Sequence, residues 1–311
     1  MWTVALLTLQ KVAMLLLFIT VGFVLRISKK LPDNAGKVLS MLCTLVFTPA
    51  YTINNLAKNM TIATLSQKSM LFAVGAVITV LSILLATALG KLMAKESFYR
   101  KSLTYAFAIP NYGYFGYPVV EGVFGAAALA NMLVFVIPMS VATNSWGYLQ
   151  FSKEKKLSIK KILLAPMIIA VIVGSIIGLS GLKLPSLVTD VLSGAGSCMS
   201  PASMLLAGFV LGGIPLKKLF VSGKAYMMAA FRLVLIPLIF AVPMYLLGIR
   251  GELFLFSIIT LSLPLGLNLV VYPESYGYDA TENAQMCFGS YILSIIILPV
   301  TFAIINFLAF S

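Results

Sequence analysis

The chain has 311 residues, 60% of them hydrophobic and only 10% charged, with a mean hydropathy of +1.04. A soluble domain carries about 25% charged residues, and those missing here would cover a water-facing surface, so a soluble globule and a disordered chain are both excluded. The net charge of +13 would point a soluble protein toward nucleic acid, but these basic residues fall in short clusters between apolar runs, as in the cytoplasmic loops of a polytopic membrane protein, and no nucleic-acid partner is expected.

Ten apolar spans follow in chain order, with ends uncertain by a few residues: 3–27, 37–57, 69–93, 102–122, 128–151, 162–180, 191–214, 225–248, 252–272 and 284–309. The first is too long for a signal-peptide core and has no small-residue cleavage site before Arg26, so it reads as a retained helix. Sixteen of the 22 Lys and Arg follow spans one, three, five and seven: Arg26, Lys29, Lys30, Lys37; Lys91, Lys95, Arg100, Lys101; Lys153, Lys155, Lys156, Lys160, Lys161; Lys217, Lys218, Lys224. The even-numbered connections hold Lys58, Lys68, Lys183 and Arg250. The positive-inside rule then places both termini outside a plasma (inner) membrane. The ninth connection has no basic residue and carries Glu274, Asp279 and Glu282, but acidic residues contribute little to orientation.

The two halves are related in pattern. Thr48-Pro49-Ala50 in span two matches Ser200-Pro201-Ala202 in span seven, and Pro110-Asn111 in span four matches Pro264 and Asn268 in span nine, at separations of 152 and 154 residues. A duplicated unit of five spans must enter the membrane from the opposite side, which gives an inverted repeat. The expected fold is an all-α polytopic membrane protein of ten helices, with repeats at 1–155 and 156–311.

Spans four and nine will not form continuous helices. Two prolines and two glycines fall within Pro110–Pro118, and span nine contains Pro264 and Gly266. Free backbone groups at bilayer depth are tolerated only inside protein or beside a watery cavity. The half-helix N-termini they create suit an anion. Asn111 and Asn268 stand beside the two breaks and offer donors and acceptors without the cost of a buried charge. With Pro110, Tyr112, Gly113, Pro264, Asn144 and Thr48 they make up the expected substrate site, and Tyr114 and Tyr117 are candidates to line its path.

Other polar residues are open to two readings. Asn54 and Asn55 either line the site or sit at the membrane interface, and Glu121 is either an interfacial residue or a proton-coupling carboxylate. Arg232 and Lys11 lie within spans and are expected to snorkel toward the headgroups. Cys43, Cys198 and Cys287 lie in apolar segments and read as packing residues. With no histidine, no cysteine cluster and no GxxxxGK[ST] loop, the chain offers no catalytic, metal or nucleotide-binding motif, so neither an enzyme nor a cofactor is expected.

The stretches Phe47-Thr48-Pro49-Ala50, Asn111 to Pro118 and Pro264-Leu265-Gly266-Leu267-Asn268, in this order, resemble the auxin efflux carrier family in its short prokaryotic form. Tyr276-Gly277-Tyr278-Asp279 followed by Ala284, and Leu184-Pro185 before Gly194 to Gly212, are similar to further family signatures. The resemblance implies a scaffold of helices one, two, six and seven, often the contact of a homodimer. It implies a transport domain of helices three to five and eight to ten, with helices four and nine crossing at Asn111 and Asn268. Family members carry organic anions, including auxin, malate or malonate. The expected activity is therefore secondary transport of a small organic anion such as a carboxylate by alternating access. A sodium-coupled symporter of a related crossed-helix fold, a channel and a membrane solute sensor are the alternatives. The chain lacks the long central loop of some plant members, and Leu265 and Leu267 stand where relatives commonly have small residues.

Overall fold

A computed structural model describes residues 1–152 and 164–311, with residues 66, 67 and 221 described in backbone alone. The expected boundary between the halves, Lys153, Lys155, Lys156, Lys160 and Lys161, and the first residues of the sixth span lie outside the described residues. The described residues are helical, with no strand, and seven helices are long and apolar enough to cross a membrane. In chain order the helices are α1 (Trp2–Ile27), α2 (Ala35–Asn59), α3 (Leu65–Met93), α4 (Ser97–Ala108), α5 (Tyr112–Phe135) and α6 (137–151). After the undescribed segment come α7 (Pro166–Ser180), α8 (Ser186–Leu211), α9 (Leu216–Val221), α10 (Gly223–Leu246), α11 (Gly251–Ser262), α12 (Asn268–Ser275) and α13 (Thr281–Phe310).

Many large apolar side chains point outward, among them Trp2, Leu17, Leu92, Leu246 and Ile296. In water such a surface would drive aggregation; in hydrocarbon it faces its own solvent. Burial of apolar surface therefore cannot hold the helices together, and close backbone packing takes over. α1 crosses α8 where a Cβ on Gly22 would collide with the Leu205 carbonyl and one on Gly208 with the Ile19 carbonyl. α2 packs on α7 in the same way through Gly174 and Gly178. A second set of contacts joins α3 to α4, α5 and α6, and α13 to α10 and α11.

Three helices widen into a π-helical turn ahead of a proline: Cys43–Phe47 before Pro49, Tyr112–Gly116 before Pro118, and Phe231–Leu235 before Pro237. A proline ring clashes with the carbonyl four residues back, and in each case that carbonyl lies in the widened turn, which makes room for the ring. In α5 the helix breaks again at Gly125, whose φ of +87° and ψ of 174° are open to glycine. One residue thus makes the turn that the sequence pattern spread over 122–128.

Two charged residues are not where the sequence pattern put them. Arg232 does not snorkel: its turn packs against α11 and α13, so Arg232 and Leu233 are fully buried and Val234 and Leu235 face outward. Lys68, expected in a connection, is buried in α3. Its Nζ donates to Asn131 Oδ1 at 2.8 Å, and Asn131 Nδ2 donates to Glu252 Oε2 at 2.9 Å. A partnered charge is tolerated inside where a lone one is not. Cys43 and Cys287 are buried as packing residues, whereas Cys198, at the interruption of α8, is exposed.

Candidate functional site

α4 ends at Ala108 and α11 at Ser262, and the two extended breaks that follow meet. Pro110 and Leu265 form an isolated antiparallel bridge, and the Asn111 N–H donates to the Pro264 carbonyl at 2.8 Å. The other freed backbone groups find side chains. Ser82 Oγ donates to the Ala108 carbonyl at 3.1 Å, Ser290 Oγ accepts from the Leu265 N–H at 3.1 Å, and Asn283 Nδ2 donates to the Leu269 carbonyl at 2.9 Å. Buried backbone groups are thus paired from α3 and α13, as hydrocarbon requires.

Asn111 shapes this crossing. Its Oδ1 accepts from the Phe115 N–H at 3.3 Å, capping the start of α5, and its Nδ2 donates to Tyr291 Oη at 3.1 Å. Tyr112, Gly113 and Tyr114 follow, in the first turn, where a helix leaves N–H groups without an intrahelical acceptor. Asn268 opens α12 and donates to Tyr272 Oη at 3.2 Å.

A cavity of about 390 Å³ borders the crossing. Seven of the eight expected site residues line it: Thr48, Pro110, Asn111, Tyr112, Gly113, Asn144 and Asn268. Pro264 does not; its carbonyl is used in the bond to Asn111. Tyr114 and Tyr117 line the cavity, whereas Asn54, Asn55 and Glu121 do not. Asn144 Nδ2 bonds back to the Ser140 carbonyl at 2.9 Å, and Tyr112 Oη donates to Thr143 Oγ1 at 3.3 Å. The Thr48 and Tyr117 hydroxyls are buried without a hydrogen-bond partner. Among the described residues lining the cavity none is Asp, Glu, Lys or Arg. Neutral donors, hydroxyl and amide, therefore provide its polarity.

Sequence reasoning missed Tyr105, Ser140, Tyr148 and Tyr272 in this wall. Spacing held part of the signal, because Tyr272 and Ser140 stand four residues from Asn268 and Asn144 and so share their helix faces. Tyr148, four residues past Asn144, carries the same signal; Tyr105 does not, since a lone aromatic in an apolar helix reads as packing.

A second hollow of about 510 Å³ shares the wall residues Ser40, Leu206 and Val271 with the cavity and reaches Arg26, Asp33, Lys37 and Glu274. Arg26 Nη1 pairs with Asp33 Oδ1 at 2.5 Å there. The cavity thus adjoins the end of the molecule where the basic ends of α1 and α2 lie.

An uncharacterized transporter of Methanothermobacter thermautotrophicus is 25% identical to this chain over 299 residues, which are 93% of this chain and 96% of that protein. The family described as "Membrane transport protein" matches residues 7–160 and 154–302. With nearly the whole chain matched, the protein belongs to this family of membrane transport proteins, the auxin efflux carrier family that its broken-helix motifs resemble.

Proposed function

We propose that the protein is a secondary transporter that carries a small organic acid with a single carboxylate and an apolar or aromatic body. The bridged breaks beside a cavity of neutral donors carry this reading. The carboxylate lies against the first turn of α5, where the Tyr112, Gly113 and Tyr114 N–H groups have no intrahelical acceptor and the helix dipole favours negative charge. Asn268 and the Thr48 and Tyr117 hydroxyls add donors. One carboxylate is matched by such a set; a second, in a cavity whose described lining has no cation, would be desolvated without compensation. Six tyrosines among the lining residues suit a flat apolar body, and the volume is that of a small-ligand site.

In this reading ten helices form two inverted five-helix repeats. α4 and α11 support it: each has 12 residues, and each ends before a break that meets the other. α1, α2, α7 and α8 act as the scaffold, which also offers a homodimer contact. α3 to α6 and α10 to α13 act as the moving part. Rocking of one against the other alternates access to the crossing. The state described here opens through the second hollow to the cytoplasm. Dissipation of the membrane potential drives anion exit, at about 2.3 kcal/mol per charge per 100 mV.

The test is flux in proteoliposomes loaded with labelled phenylacetate, indole acetate or malonate. Saturable flux of the monocarboxylates above that of malonate is expected. A hydrogen bond to a charged group contributes about 1.5–3 kcal/mol, so Asn268→Ala and Thr48→Val should each raise the half-saturating concentration about tenfold or more. Faster malonate flux would overturn the substrate class, and unchanged half-saturation in both variants would overturn the site.

A further inference from the structure

We propose that Tyr51, Glu121 and Lys11 form a latch that holds α5 against α1 and α2 beyond the outer end of the cavity, and that its release is the step that opens that end. The proposal rests on the alternating-access reading. Tyr51 Oη donates to Glu121 Oε2 at 2.5 Å, a bond of the short, charge-assisted kind. The Tyr51 ring stacks on Tyr117, with centroids 6.2 Å apart and planes 17° apart. Tyr117 lines the cavity, and Glu121 follows it by one helical turn. One turn beyond Tyr51 on the same face of α2, Asn55 Nδ2 donates to the Ala126 carbonyl at 3.5 Å, just past the break at Gly125. From α1, Lys11 lays its stem over Gly122 of α5, where any Cβ would collide with it.

The latch lies at the end of the cavity remote from the second hollow. Tyr51 is fourteen residues beyond Lys37 on α2, and Lys11 fifteen residues before Arg26 on α1, which is about 20 Å along each helix. A phenol, an amide and an alkyl stem, all from α1 and α2, thus grip one stretch of α5 on the closed side. Sliding α5 away breaks these contacts together. The latch therefore weights the population of the state open to the opposite side.

The test is thiol labelling from each face of sealed membrane vesicles with a membrane-impermeant reagent. The reporter is Gly113→Cys, because a Cβ at Gly113 meets open space in the cavity wall. Exposed Cys198 is replaced by Ser, and the same chain without the reporter gives the blank. Tyr51→Phe, which keeps the ring and its stacking, and Glu121→Ala should each raise the outer-face labelling rate roughly tenfold. The double variant should exceed the larger single effect little, as partners in one bond do. Labelling unchanged from both faces in Tyr51→Phe would overturn the latch, and so would effects that multiply in the double variant. Because labelling needs no solute, these outcomes stay readable even if the substrate assignment fails.

Discussion

Arg232 is the largest fully buried side chain described, and its Nε, Nη1 and Nη2 have no hydrogen-bond acceptor. A guanidinium stays charged in proteins, and a buried charge without a partner costs several kcal/mol even after relaxation. Replacing such a group by an apolar side chain of similar length is therefore stabilising. Arg232→Met should raise the thermal unfolding midpoint in detergent by a few degrees, in line with gains of about 1–4 kcal/mol when buried charges are replaced. A fall in the midpoint would show that Arg232 has a partner in the folded protein. Sequence pattern exposes the residue but not its burial, because the burial comes from α11 and α13 packing against its turn. The two asparagines make a similar case. Asn111 and Asn268 were legible from their place beside proline and glycine. Their difference was not. Asn111 is 5% exposed, and its amide is held by Tyr291, 180 residues away, while Asn268 bonds within its own helix. Contacts across the fold make Asn111 mainly a brace of the crossing, while Asn268 is partly exposed in the cavity wall.

At the scale of elements, the breaks were legible because proline and glycine act locally. What the breaks do was not, since the bridge between Pro110 and Leu265 joins segments from opposite halves. The start of α4 shows how such a segment is fixed at the membrane surface. Glu96 precedes the helix, and its carboxylate accepts from the Tyr99 and Phe98 N–H groups, the latter at 2.7 Å. Those N–H bonds, Tyr99 first, hold its pKa below the ordinary carboxylate range. A depressed folded-state pKa adds stability that is present above the unfolded value, about 4.3, and is lost as the pH falls through the lower folded value. The thermal midpoint of Glu96→Gln should therefore lie below that of the parent at pH 7, and the gap should close below about pH 4. A gap independent of pH would show that the cap acts through its shape alone. Serine, threonine, aspartate and asparagine are the usual caps, which is why sequence gave Glu96 no weight.

At the scale of the whole molecule, two independent asymmetries coincide. Lys and Arg gather in connections at one end of the spans, and the hollow that adjoins the cavity is lined by Arg26 and Lys37 from that same end. The charge bias was legible from the sequence, because it needs only the order of the spans. The open side was not, because it depends on which helix ends pack. If the positive-inside rule governs here, the hollow faces the cytoplasm and the Tyr51–Glu121 contact faces the exterior. Lys37 and Lys183 are both exposed, one lining the hollow and the other in the turn between α7 and α8. Intact cells carrying Lys183→Cys, with Cys198 replaced by Ser, should be labelled by a membrane-impermeant thiol reagent. Cells carrying Lys37→Cys should be labelled only after permeabilisation. The reverse pattern would place the hollow outside, turn the resting state into one that admits solute from the exterior, and make the latch a cytoplasmic one. Sidedness thus decides the direction in which the membrane potential would act on the proposed anionic solute, and with it whether the described state would load solute for export or receive it from outside.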